Sequence, residues 1–202
     1  MAATRSQRQI LELAARQGSI RTADLEAQGL PREYLSRMAK SGLLLRIARG
    51  VYRLPDADVT EHHELALVAS RVPNGVVCLL SALAFHQIGT QSPHQVWLAV
   101  KAKSHAPVFD YLKVRYSYFS GAAFELGVEQ HEIEGLKVAV YSPAKTVVDC
   151  FRLRNKVGLD VALEALREGW RDKRFTVDEL MALAQQCRIA AVIRPHFEML
   201  VA

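Results

Sequence analysis

The chain has 202 residues, half of them apolar and 23% charged, which is enough hydrophobic material for a folded core and far from the composition of a disordered chain. That length allows one large domain or two small ones; no apolar run approaches the roughly 18 to 20 residues of a membrane span, and the N-terminus MAATRSQRQI lacks the apolar stretch of a signal peptide, so a cytoplasmic protein with no membrane partner is expected. The net charge of +5 is unevenly spread: residues 1–55 hold ten basic and four acidic residues, a net +6 that leaves −1 for the rest, as in a polyanion-binding module attached to a near-neutral domain.

Taken in chain order, Ile10, Leu13, Ala14 and Gln17 give an apolar stripe at helical spacing that stops at Gly18. Ser19, Ile20 and Arg21 form a short extended stretch, and Thr22 is placed to cap a second short helix carrying Leu25 and ending before Gly29. Pro31 opens a third helix in which Tyr34, Leu35 and Met38 face inward and Glu33, Ser36, Arg37 and Lys40 outward, with Gly42 closing it. LLLRI (43–47) and VYRLP (51–55) then read as two strands joined by Ala48, Arg49 and Gly50, a tight basic hairpin. Helix, short helix, helix and hairpin is the order of a winged helix-turn-helix, a fold that binds DNA but also serves as a plain protein-contact module. The charge and the hairpin arginines favour DNA.

A polar linker, PDADVTEHH (55–63), places a domain boundary near residue 57, giving a winged helix over 1–57 and a second domain over 58–202. In the second domain Leu65, Val68, Ala69 and Val72 make a helical stripe, VVCLL (76–80) reads as a buried strand, and Ser81 is placed to cap a short helix, SALAFHQI. HQVWLAV (94–100) is a further strand. LKVRYSYF (112–119) alternates with Leu112, Val114, Tyr116 and Tyr118 on one face and Lys113, Arg115 and Ser117 on the other, and VEQHEI with LKVAVY can pair as a hairpin around Glu134 and Gly135. The last third is helical: Ser142 and Pro143 open a helix striped by Ala144, Val147, Val148 and Phe151, Leu159, Leu163, Leu166 and Trp170 mark the next, and Thr176 with Glu179 forms a capping box before Val177, Leu180, Met181, Ala184 and Cys187. The expected fold class is therefore α+β, a winged helix followed by a mixed or antiparallel sheet with C-terminal helices.

Catalytic patterns are not found. Neither G-x-x-x-x-G-K-[ST] nor G-x-G-x-x-G occurs, and Asp56-Ala-Asp58, the only D-x-D, lies in the linker as a solvated turn rather than a metal-binding pair. Glu132, Glu134 and Lys137 have the wrong separation for a nuclease, and the adjacent His62 and His63 point in different directions on a helix, as surface residues do. His86 reads as a buried hydrogen-bonded histidine, with a small polar site shared with Asp149 or Lys145 as the alternative. Cys78, Cys150 and Cys187 are widely spaced in apolar surroundings, as reduced core thiols. No G-x-S-x-G surrounds a serine, and Lys145, Asp149, Arg152 and Arg154 are as well explained by a solvated helix face as by a phosphate site. The chain is read as no enzyme, with no catalytic residue, no cofactor and no metal.

Three segments, GSIRTADLEAQGL…LSRMAKSGLLLRIARGVYRLP, SALAFHQIG and VYSPAKTVVDCFRLRNKVGLDVALEALREGW, together resemble the AbiEi-type antitoxin and transcriptional-regulator family over residues 8–170, the Gly-Val-Tyr-Arg-Leu-Pro end of the wing being the most specific piece. The resemblance implies a bacterial regulator encoded beside a nucleotidyltransferase-like toxin. It would repress its own operon by binding inverted repeats in double-stranded DNA, with the second domain contributing to antitoxicity. Gln87 and Ile88 replace a common Gly-Leu and the C-terminal domain is short for the family, so repression transfers more directly than toxin neutralisation.

The expected DNA site follows from the helix order and the charge. Ser36, Arg37 and Lys40 would face the major groove, Arg32 and Arg21 would meet phosphates near helix ends, and Arg46, Arg49 and Arg53 would touch the backbone or minor groove from the wing. The rival reading is a protein-interaction module that binds a toxin or another partner through the C-terminal domain, for instance along the strand 112–119.

Overall fold

The computed structural model describes residues 4–57, 60–109 and 112–201, arranged as two compact units. The first unit reaches to Pro73 and also takes in Glu132–Val138; the second comprises Asn74–His131 and the chain from Ala139 onward.

The first unit runs α1 (Arg5–Gln17), β1 (Ile20–Arg21), α2 (Thr22–Ala27), α3 (Glu33–Lys40), β2 (Leu45–Ala48), β3 (Val51–Arg53) and α4 (His63–Arg71). Thr4 and Gln7 form a reciprocal capping box at the start of α1, whose Ile10, Leu13 and Ala14 are buried, and Gly18 ends it at φ 73°. At α2 the cap lies one residue earlier than expected. Arg21, not Thr22, holds the cap position, and its backbone N–H donates to Asp24 Oδ2 at 2.7 Å. A carboxylate in the first turn both satisfies an orphan N–H and opposes the positive end of the helix dipole, which the Thr22 hydroxyl does more weakly. Strands β1, β3 and β2 form an antiparallel sheet in that order, with Ile20 opposite Tyr52, Leu45 opposite Arg53, and a bulge between Arg46 and Ala48. Ile10, Leu13, Ala14, Ile20, Leu25, Leu35, Met38, Leu44 and Tyr52 make one core, so the buried stripes of all three helices meet the sheet. The boundary expected near residue 57 falls inside this unit, because α4 packs against β2.

The second unit holds β4 (Val76–Val77), α5 (Leu79–His86), β5 (Val96–Lys101), β6 (Val114–Phe119), α6 (Ala122–Glu125), α7 (Pro143–Arg152), α8 (Arg154–Val157), α9 (Leu159–Arg171), α10 (Val177–Gln186) and α11 (Ala190–Val201), and the hairpin strands β7 (Val128–Ile133) and β8 (Leu136–Tyr141) extend from it into the first unit. The sheet is mixed, in the order β6-β5-β4-β8-β7, with β4 antiparallel to β5 but parallel to β8, and β5 parallel to β6.

Several expectations are corrected here. Only Val76 and Val77 of VVCLL are strand; Cys78 is the cap of α5, and Ser81 lies inside that helix, its Oγ accepting from the Trp97 N–H at 2.9 Å. A short buried apolar run fits a strand and a buried helix equally well, so periodicity alone could not divide it. In β6 the expected alternation holds through Tyr116 and then inverts: Ser117 and Phe119 are buried while Tyr118 is 56% exposed. Phe119 stacks on Tyr141 at 6.2 Å, and that aromatic contact sets which face turns inward. In α9 the buried stripe is Val161, Ala162, Ala165, Leu166 and Gly169, with Leu159 left exposed. Small residues there let the helix lie close against α7, every residue of which from Ala144 to Phe151 is buried.

The turn between β7 and β8 belongs to the first unit and touches it closely. Gly135 sits at φ 73°, the Arg21 guanidinium donates to its carbonyl at 2.8 Å, and a Cβ at this position would overlap the Gln17 carbonyl oxygen. Both the left-handed backbone and the close approach demand glycine. Gly135→Ala is expected to destabilise the chain by about 2–4 kcal/mol, a combination of backbone strain and overpacking; urea denaturation checks it, and a loss below about 1 kcal/mol would mean that the turn can move away from α1 without penalty.

Candidate nucleic-acid interface

Helix α3 is amphipathic in the sense a recognition helix needs. Leu35 and Met38 are fully buried and fix its inner face, while Arg32, Ser36, Arg37 and Lys40 are exposed on the other side. The Arg37 guanidinium carbon lies 5.4 Å from the centre of the Tyr34 ring, which limits the side chain's freedom while its donors stay in solvent. Arg32 Nε is 3.7 Å from Glu33 Oε1, an exposed pair worth little that a phosphate can displace.

The wing is built from β2, β3 and the Arg49-Gly50 turn, with Gly50 at φ 74°. The Thr22 N–H donates to the Gly50 carbonyl at 3.1 Å, so the turn is tied to the start of α2. Arg46 and Arg49 are exposed on this hairpin, and Arg46 Nε donates to the Ala48 carbonyl at 3.3 Å, bending the side chain along the strand. Six of the eight expected site residues are thus solvent-facing on α3, at its start or on the wing. Arg21 and Arg53 are placed differently: Arg21 is half-buried and bonded to the Gly135 carbonyl, and Arg53 is half-buried with Nε and Nη1 sealed from solvent. Strand alternation and a buried turn, neither visible in the local sequence, draw these two inward.

Away from this face, the ionisable groups are structural. His86 Nε2 lies 2.7 Å from the Tyr141 carbonyl, which requires the proton on that nitrogen; burial, partly opposed by this bond, holds the imidazole below its ordinary value, and neither Asp149 nor Lys145 bonds to it. His63 is no free surface residue, because its Nδ1 lies 2.7 Å from Glu134 Oε2. The Thr60 N–H and hydroxyl donate to Glu134 Oε1 at 2.9 and 3.0 Å. Burial would push the Glu134 carboxyl up, but the bonds from His63 and Thr60 outweigh it and hold the group below its ordinary value. Lys145 and Asp149, read as candidates for a solvated face, are instead an ion pair inside the core. Asp58 lies outside the described residues, so the Asp56-Ala-Asp58 turn is described only at Asp56, which is exposed. Among the described residues no cluster of three His, Cys, Asp or Glu side chains could hold a metal ion, the three cysteines are free, and no helix is long and apolar enough to cross a membrane.

Residues 8–55, the three helices and the wing, match the family described as "Transcriptional regulator, AbiEi antitoxin". The winged helix is thus similar to the AbiEi antitoxin domain. The match supports a DNA-binding, transcription-regulating role for this part of the chain. The match ends at residue 55, short of the span to residue 170 over which sequence motifs resemble the family. Among solved structures, the RV2827C protein from Mycobacterium tuberculosis is similar at 12% identity over 89% of this chain and 80% of that one, with a TM-score of 0.48. None of the curated proteins matches the chain.

Proposed function

We propose that this AbiEi-type regulator represses its own promoter by seating α3 in the major groove of an inverted-repeat operator, with the wing lying on the flanking backbone. Ser36, Arg37 and Lys40 read base edges, Arg32 meets a phosphate at the start of α3, and Arg46 and Arg49 reach the backbone or minor groove. Arg21 acts from behind, holding the turn at Gly135 rather than touching DNA. The observation that carries this reading is the exposed polar face of α3, with Leu35 and Met38 pinned beneath it, in the stretch that matches the family.

Fluorescence anisotropy on the chain's own upstream DNA and on a scrambled duplex, across a salt series, tests it. Specific regulation requires binding to the upstream DNA tighter by about a thousandfold or more. Equal and steeply salt-dependent affinity for both duplexes would reduce the site to a basic surface. The finer partner assignment, a nucleotidyltransferase-like toxin encoded alongside and opposed by the second unit, rests on the family's name as an antitoxin. Co-expression with the neighbouring gene tests that part: restored growth supports it, and unrelieved toxicity counts against it.

A further inference from the structure

The outer face of α3 carries a single carboxylate among its cations. Glu33, Ser36, Arg37 and Lys40 follow one another at helical intervals, so they line one side of the helix, and all four are exposed. Arg32 is exposed at the cap position beside them. Of these side chains only the Glu33 carboxylate accepts hydrogen bonds without donating any, and its charge works against approach to phosphates.

Within the protein this carboxylate has little to do. No side chain caps α3, so Glu33 contributes to the helix start only through its charge. Its ion pair among the described residues is with Arg32 Nε at 3.7 Å, beyond hydrogen-bonding distance, and its side chain is 64% exposed. Leu35 and Met38, buried beneath, hold the helix and so fix where the carboxylate stands.

The first turn of a recognition helix is the part that meets base edges in the major groove. A carboxylate there is repelled by the acceptors of guanine, N7 and O6, and by O4 of thymine. Adenine presents its amino group beside the N7 acceptor. Cytosine presents the N4 amino group with no acceptor on the same base, and so suits a carboxylate best.

We infer that Glu33 is a specificity-determining residue of the operator contact, accepting a hydrogen bond from the N4 amino group of a cytosine and disfavouring the other bases at that position. It lowers affinity for DNA in general and raises selectivity, the opposite balance from Arg49. This role rests on α3 entering the major groove, as proposed above.

The test uses the full chain, with binding-site selection and anisotropy on operator and scrambled duplexes, for the parent, Glu33→Ala, Glu33→Gln and, as a reference, Arg37→Ala. In the parent, one position of each half-site should select cytosine. Glu33→Ala should erase that preference alone and narrow the affinity ratio of operator over scrambled duplex by about fivefold or more, the low end for a base contact, while the scrambled duplex binds as well as before or more tightly. Glu33→Gln should move the preference from cytosine to adenine, because an amide matches the N6 donor and N7 acceptor together. If Arg37→Ala relaxes one position and Glu33→Ala relaxes none, the role of Glu33 is overturned while groove entry by α3 stands. If the parent itself fails to discriminate the operator, both fall. Thermal unfolding of the same variants closes the remaining route: a lower Tm with both duplexes weakened in equal proportion would reduce Glu33 to a charge at the start of the helix, and overturn the inference.

Discussion

Replacing Lys145 with alanine is expected to lower the stability of the chain by about 3–5 kcal/mol, the usual result of leaving a buried charge without its partner. Lys145 and Asp149 stand one turn apart on α7 with side chains wholly buried, bonded directly to each other. The Lys145 ammonium also lies 4.0 Å from the centre of the Tyr141 ring, and Arg152 Nη2 approaches Asp149 Oδ1 at 3.2 Å while its guanidinium carbon covers the Phe119 ring at 4.1 Å. Burial pushes the Asp149 carboxyl above its ordinary value, and Lys145, then Arg152, pull it back. With Lys145 gone, only the more peripheral Arg152 remains. A carboxyl whose value is raised by folding costs stability once it ionises, so the penalty of Lys145→Ala should shrink as the pH falls toward the acid range and Asp149 takes up a proton. Lys145→Met with Asp149→Leu should recover most of the loss, since an apolar pair of similar volume pays no desolvation cost. Urea denaturation of the three variants at two pH values decides it. If the double substitution were as damaging as the single one, packing around α7, and not charge pairing, would be the reason.

The second large effect concerns DNA. Arg37→Ala is expected to weaken binding to the upstream operator by about 1–3 kcal/mol and to relax preference at one base-pair position, as removal of a base-reading side chain does. Arg49→Ala, at the tip of the wing, should weaken specific and scrambled duplexes alike and reduce the slope of log affinity against log salt by about 1. Binding-site selection on each variant, together with the salt series, separates the two. A double variant that binds operator as well as the parent would remove both residues from the interface. Neither substitution should disturb folding, because both side chains are exposed and the core beneath α3 rests on Leu35 and Met38.

The winged helix was legible because its signals are local. Gly18 and Gly42 mark helix ends, the stripe of Ile10, Leu13 and Ala14 has a clean helical period, and the hairpin turn contains Arg49-Gly50, so each element follows from a few neighbouring residues. The mixed sheet was legible only in outline, since a parallel neighbour such as β8 beside β4 is set by residues more than sixty positions apart. Burial of polar groups was the least visible. Lys145 and Asp149 at a spacing of four look the same on a solvated face as in a core, and only the crowding of α7 by α5, α9 and α10 distinguishes the two. The half-burial of Arg21 and Arg53 was hidden for the same reason: a basic residue beside a helix-turn-helix reads as a phosphate contact until its burial is known.

The turn at Glu134 and Gly135 has a consequence for how the protein is made. Ribosomes deliver the chain from its N-terminus, and the segments from α1 to α4 emerge long before the turn that bonds to Arg21, Thr60 and His63. The first unit is therefore completed by a piece of chain that is made later, and a nascent chain interrupted before it carries its helices and wing without the bonds from Arg21, Thr60 and His63 to this turn. Completion of the first unit thus requires translation to have passed residue 138, a condition set by chain order alone.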